Sequence, residues 1–157
     1  MKEQLEFGHR LLNEKGLVPK LEMGPCSTID ERVLTSLDGQ TEMILPLDFQ
    51  TESVQVPWIE YKGTTFNVGN FVAYRGDDCD RLVFAVIEAL VCNSSMKVKM
   101  MLRCCHTLTY NEKMCSYLVE RTEVFKFASF EELSSFLPCL HVATSDGAEL
   151  VSPRHAL

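Results

Sequence analysis

No apolar run in this chain approaches the roughly 20 residues that cross a bilayer as a helix, so a membrane-spanning helix is not expected. The opening residues, MKEQLEFGHR, carry acids and have no apolar core segment. A secretory signal is therefore not expected, and the compartment is read as intracellular, nucleus or cytoplasm. No CxxC pair occurs, which removes the usual knuckle of a structural zinc site. There is no internal repeat and no low-complexity tract, so solenoid and linker architectures are not indicated. Positive charge is also scarce: 15 basic against 22 acidic residues give a net −7. Nonspecific nucleic-acid binding requires a positive surface to displace counterions, and the overall charge opposes it.

What is present fits one globular domain. A length of 157 residues supports a core without staples. Seven cysteines are many, but their odd number and irregular spacing argue for free, mostly buried thiols. Charge is unevenly spread. Residues 1–56 hold five basic and ten acidic groups, a net −5; residues 57–157 hold ten and twelve, a net −2. Together with the local pattern, this divides the chain into a loosely ordered acidic lead-in over 1–53 and a β-barrel-like domain over 54–157. Within the lead-in, Leu5, Leu11 and Leu12 suggest a short helix ending near Gly16, and Asp30 to Leu37 a helical turn.

From Val54 the pattern is that of strands. Lys62-Gly63 separates WIEY from TTFNV, a hairpin signal. Phe71 to Tyr74 is a further short strand. Arg81 to Cys92 is apolar on both faces, as in a central strand. After Asn93-Ser94-Ser95, residues 96–105 alternate: Val98, Met100 and Leu102 face one way, Lys97, Lys99 and Arg103 the other. Two strands follow near Ser116–Arg121 and Glu123–Ala128. Ser129 and Glu132 have capping-box spacing, and Phe130, Leu133, Phe136 and Leu137 share a helical face, so a short helix is expected over Ser129–Leu137. Asp146-Gly147 marks a last hairpin between Leu140–Ala143 and Glu149–Val151. The fold class expected is mainly β: a small, partly open antiparallel barrel with one short C-terminal helix.

The segment Phe66-Asn67-Val68-Gly69-Asn70-Phe71-Val72 and the later Glu123-Val124-Phe125 resemble elements of bromo-adjacent homology domains and, more loosely, Tudor-like small barrels. Asn70 stands where those domains usually carry an acid. The order of strands, with Tyr117-Leu118-Val119, also resembles an uncharacterised C-terminal module of transposon-associated animal proteins. Both resemblances cover roughly residues 56–151, and both imply a non-catalytic interaction role.

Candidate sites follow from residue type. Trp58, Tyr61, Phe66 and Tyr74 gather at the start of the barrel, where rings could enclose a basic peptide side chain. Lys97, Lys99 and Arg103 form a basic strip able to touch phosphate. The cluster Cys92, Cys104, Cys105, His106 and Cys115 is read as packing rather than metal ligation, because adjacent strand residues point to opposite faces. Cys105 or Cys139 with His106 or His141 lacks the signature of a nucleophilic pair. Asp77-Asp78-Cys79-Asp80 lacks the Gly and terminal Glu of a calcium loop. The acid-flanked segment Met43–Phe49 suits docking in a partner groove or folding back on its own domain. No cofactor, metal or catalytic residue is expected. The reading is a non-enzymatic protein-interaction module with an unknown protein partner. The alternative is a nucleic-acid-associated remnant of a mobile element using the basic strand face.

Overall fold

The computed structural model describes residues 21–29, 53–75, 82–134 and 137–154. Among the described residues ten strands run in chain order: β1 Leu21–Met23, β2 Ser53–Val56, β3 Trp58–Tyr61, β4 Thr64–Asn67, β5 Phe71–Arg75, β6 Leu82–Asn93, β7 Val98–Asn111, β8 Ser116–Ala128, β9 Leu140–Ala143 and β10 Glu149–Ser152. One antiparallel sheet has the order β1-β3-β4; the other has seven strands, β2-β6-β7-β8-β10-β9, with β5 also on β6. The large sheet curls into an open half-barrel. The mainly β class expected from the sequence is therefore observed.

β6 organises the molecule. Its twelve residues are almost all buried because each face meets a different core. On one face, Ala85, Ile87, Leu90 and Cys92 pack with Val54, Val56, Ile59, Phe66, Val72, Tyr74, Met100 and Leu102 under the small sheet. On the other, Phe84 and Val86 join Phe71, Ala73, Cys105, Val119 and Val151 inside the curl. Ala89 and Val91 pack with Met101, Phe125 and Phe127 farther along. The apolar run is interrupted once, at Glu88, and the pairing with β7 jumps there from Ile87–Leu102 to Ala89–Met101. Glu88 is thus the extra residue of a β-bulge, which keeps the apolar residues on either side of it on their proper faces.

The edge of β6 away from β7 is shared. β2 covers Leu90 to Asn93 and β5 covers Leu82 to Val86. Ile87 falls in the gap between them, and its backbone groups pair with Gly69 N (2.8 Å) and Asn70 O (2.9 Å). The Asn67–Asn70 turn, closed by Asn70 Oδ1 accepting from Asn67 N at 2.8 Å, so completes the ladder. Gly69 has φ +96, a conformation that L side chains rarely adopt. The other expected hairpins also form. Lys62 and Gly63 both take positive φ, the two-residue hairpin geometry that matches strand twist. At the next turn, Asn93 Oδ1 accepts from the backbone of both Ser95 and Lys97.

Three sequence expectations are revised. The two strands near 116–121 and 123–128 are one strand, β8, whose pairing with β7 shifts between Arg103 and Cys105. The helix over Ser129–Leu137 reduces to one 3-10 turn, Phe130–Glu132. Glu132 does accept from Ser129 N at 2.6 Å, as the capping spacing implied. The chain then extends, because Leu133 and Ser134 serve the exposed edge of β5 instead: Leu133 bridges Tyr74, and Ser134 N donates to Ala73 O at 2.9 Å. Finally, residues 21–29 belong to the fold rather than to a loose lead-in. β1 pairs with β3, Ser27 bridges Gln55, and Met23 and Cys26 pack on the main core. The other expectations for residues 1–53 lie outside the described residues.

Gly24 makes that attachment testable. Its N–H donates to Trp58 O at 3.0 Å, and a Cβ there would meet Trp58 Nε1 at 2.7 Å and Pro57 Cγ at 2.8 Å. Overpacking of this kind costs about 1–3 kcal/mol. Gly24→Ala should lower the unfolding free energy by that amount in urea titrations; an unchanged midpoint would mean the 21–29 segment contributes nothing to stability.

Candidate interaction surface

The four aromatic residues singled out from the sequence do not share an opening. Phe66 is buried and packs on Phe130, with ring centroids 4.7 Å apart. Tyr61 stacks on the other contact of Phe130 at 4.6 Å and donates its hydroxyl to Glu131 at 3.1 Å. Tyr74 is 6% exposed, with its hydroxyl 3.3 Å from Cys104 Sγ. Trp58 is half-buried against Gly24. The chain's own lysines already occupy the cation positions over two of these rings: Lys62 Nζ lies 5.3 Å from Tyr61 and Lys126 Nζ 4.3 Å from Tyr74. A cage for a basic peptide does not fit this arrangement.

The basic strip is similarly broken. Arg103 Nε is 2.9 Å from Glu88 and Nη1 is 3.6 Å from Glu123, and the guanidinium sits 4.9 Å from the Phe125 ring. Between Lys99 and Arg103 on the same face comes Met101, which is only 5% exposed. Lys97 is exposed but precedes β7. Arg103 is thus neutralised from two sides and does not form a phosphate-binding strip with Lys97 and Lys99.

The cysteines behave as packing groups. Cys104 and Cys105 serve cores on opposite faces of β7. Burial pushes the Cys105 thiol up to about 11 and the Cys139 thiol up to about 12, so neither is a thiolate at neutral pH. Among the described residues no three His, Cys, Asp or Glu side chains are grouped to hold a metal ion, and no helix is long and apolar enough to cross a membrane. Residues 77–80 and 43–49 lie outside the described residues.

The notable surface was missed by the sequence reading. Among the described residues seven large apolar side chains are exposed, and five of them come from two elements: Leu108, Tyr110 and Met114 on the β7–β8 hairpin, and Leu140 and Val142 on β9. β7 runs on past Cys105 to Asn111, and its last six residues are all exposed. All four β9 residues are exposed as well. The strand register aligns Val142, Leu150, Leu118 and Thr109 in one row across four strands, on the outer face. Adjacent rows hold Leu140 beside Ser152, and Glu120 beside His106. A solvated sheet face ordinarily alternates to polar residues. This row is instead uncharged: Val142 at its edge is 51% exposed while Leu150 beside it is buried, and Leu140 in the adjacent row is 58% exposed. The signal was available in Thr107-Leu108-Thr109-Tyr110, a β-prone run, and in Leu140-His141-Val142-Ala143, a strand without a fully charged residue.

β9 is also the last strand of the large sheet. Thr144 N donates to Ala148 O at 2.8 Å. Antiparallel pairing alternates, so Leu140 and Val142 direct their backbone groups at β10 and His141 and Ala143 direct theirs outward. Cys139 N, two residues before His141, also points outward and donates to Phe71 O of β5 at 2.7 Å. Phe71 and His141 stack at 4.4 Å on the inner side. The curl therefore brings β5 and β9 together at one point, and the remaining edge, at His141 and Ala143, leads away from it. Inside, Glu149 receives Arg121 through two hydrogen bonds, Nη2 at 2.8 Å and Nε at 3.0 Å. His141 Nε2 lies 3.6 Å from the same carboxylate. β8, β10 and β9 are fixed to each other by this group.

The chain matches no protein-family model and no curated protein.

Hydrogen bonds from Arg121 hold the Glu149 carboxyl below its ordinary value. A lowered folded-state value means that the stabilisation is present above the unfolded-state value, about 4.3, and is lost as pH falls through the lowered one. Glu149→Gln should flatten the acid limb of the stability–pH curve measured by chemical unfolding. An acid limb identical to that of the unsubstituted protein would show that this carboxylate is not linked to folding.

Proposed function

We propose that the protein is a protein-interaction module that receives an extended segment of a partner along the free part of β9. The observation that carries this reading is the coincidence of an outermost, uncharged strand with two exposed apolar side chains on it, Leu140 and Val142. Edge strands in soluble proteins are commonly blunted by lysine, proline or a bulge. β9 has none of these. Strand addition supplies affinity through main-chain hydrogen bonds, and specificity through the side chains at alternate positions. The added strand meets the outward backbone groups of His141 and Ala143, and its outer-face residues lie next to Leu140 and Val142. Apolar residues at alternate positions of the partner are favoured there, and no charge on β9 selects a basic peptide.

Rigidity supports the same reading. Tyr110 packs on Tyr117 at 4.9 Å and Tyr117 on Phe84 at 5.1 Å, a chain of rings from the hairpin to the core. Ser152 Oγ donates to Cys115 O at 3.0 Å and ties the hairpin turn to β10. A preformed apolar surface loses little entropy on binding. The resemblance to bromo-adjacent homology and Tudor-like barrels is compatible with a chromatin- or transposon-associated setting for such a module.

Selection from a random peptide library against the purified protein tests the reading. Bound peptides should carry apolar residues at alternate positions, should slow amide exchange at His141 and Ala143, and should lose at least tenfold in affinity to Val142→Lys. Peptides that bind Val142→Lys as tightly as the unsubstituted protein would place recognition elsewhere.

A further inference from the structure

We infer that Asp146-Gly147, at the tip of the β9–β10 hairpin, is a latent site of spontaneous main-chain isomerisation, and that the Thr144 hydroxyl guards it. Aspartate followed by glycine is open to this reaction because glycine has no side chain to shield its nitrogen. The chain has two such pairs, Asp38-Gly39 and Asp146-Gly147. The first lies outside the described residues. The inference does not depend on docking at β9.

The reaction needs only water. The Gly147 nitrogen attacks Cγ of Asp146 and forms an N–C bond. The carboxyl hydroxyl leaves with the amide proton as water, and a cyclic imide results. Water then opens the ring. Cleavage between the nitrogen and the main-chain carbonyl carbon of Asp146 leaves that carbon as a new carboxyl group and returns a proton to the nitrogen. The chain now runs through Cγ and is one methylene longer. Two conditions must hold. The carboxyl must be in its neutral acid form, since a carboxylate is a poor electrophile. The glycine nitrogen must be free to swing onto Cγ.

The hairpin opposes both. Thr144 N donates to Ala148 O at 2.8 Å and brackets the loop, and Gly147 N donates to Thr144 O at 3.1 Å. Gly147 takes φ +87, as in hairpin loops closed by a left-handed glycine. The attacking nitrogen is thereby held on Thr144 O. Thr144 Oγ1 donates to Asp146 Oδ1 and accepts from Ala148 N at 3.1 Å. Its single proton goes to the carboxylate rather than to Ala148 O at 3.2 Å, because a charged acceptor forms the stronger bond. Hydrogen bonds from Thr144, and then from the backbone of Ala148 and of Asp146 itself, hold the Asp146 carboxyl below its ordinary value. A lowered value leaves a smaller acid fraction at every pH above it. Thr144 so restrains the nucleophile with its carbonyl and the electrophile with its hydroxyl. Isomerisation would break the Gly147–Thr144 bond and lengthen the loop that joins β9 to β10, the strand on which β9 is registered.

The test is an ageing experiment on the 157-residue chain. The purified protein is incubated near neutral pH, folded or in urea, then digested. Isoaspartate at each Asp-Gly peptide is measured by isoaspartyl-specific methylation and fragmentation mass spectrometry. At Asp146 the folded chain should isomerise several-fold more slowly than the chain in urea. Thr144→Val keeps the shape of the side chain and removes the hydroxyl. It should isomerise about tenfold faster than the unsubstituted folded chain, the order expected for loss of one charge-assisted hydrogen bond. Its rate–pH profile should also move to higher pH, because more of the carboxyl stays in the acid form. Thr144→Ser keeps the hydroxyl and should stay close to the unsubstituted rate. All three chains should react alike at Asp146 in urea and alike at Asp38 throughout, with unchanged circular dichroism confirming that both variants fold. Equal rates at Asp146 in folded Thr144→Val and the unsubstituted chain overturn the guard. So does a Thr144→Ser rate as high as that of Thr144→Val. A folded-state rate at Asp146 as fast as that in urea overturns the inference as a whole.

Discussion

The structure depends on β6 being buried on both faces at once. A strand with two dry faces and no charged side chain but Glu88 can only exist where sheet material covers each side. One side is covered by the small sheet and the Phe130 turn, the other by the curl of the large sheet itself. The bulge at Glu88 follows from the same demand. If Glu88 were paired regularly instead of bulging, the period of two would send Leu90 and Cys92 to the face of Phe84 and Val86. The carboxylate that the bulge displaces is then met by Arg103 at 2.9 Å, so the residue that looked like part of a basic strip is consumed in settling an internal charge.

How much of this was legible depended on whether the cause was local. The double-sided apolar run, the Lys62-Gly63 and Asp146-Gly147 turns and the alternation of Val98, Met100 and Leu102 are properties of neighbouring residues, and each produced the expected element. The helix at Ser129 had good local chemistry, and Glu132 does close back on Ser129. It stops because Leu133 and Ser134 have a better use on β5, more than fifty residues away in sequence. The split of β8 into two strands has the same origin: Thr122 reads as a break between them, whereas the strand continues through an irregular pairing with β7. The aromatic cluster failed for a third reason. Sequence proximity of Trp58, Tyr61, Phe66 and Tyr74 says nothing about orientation, and alternation along β3 to β5 sends Phe66 and Tyr74 into the core.

The surface that matters here was hidden by the opposite effect. Leu140 and Val142 read as ordinary strand residues, and only the sheet order shows that β9 has a neighbour on one side. Likewise Leu118 and Leu150 are separated by 32 residues, and register alone makes them adjacent. Position within a sheet is a global property, so an exposed edge has no sequence signature beyond the missing charge that ordinarily protects it.

The covered flank of β5 has its own consequence. Ser134 N and Cys139 N bond the outward carbonyls of Ala73 and Phe71, and Leu133 lies opposite Tyr74. The flank of β5 and, through Ser27 on Gln55, that of β2 are thus both met by other parts of the chain. Growth by strand addition requires two compatible ends, as in a monomer unit that can be extended without limit. A flank already met by its own chain offers a neighbouring molecule few free backbone groups, which works against open-ended growth along that side.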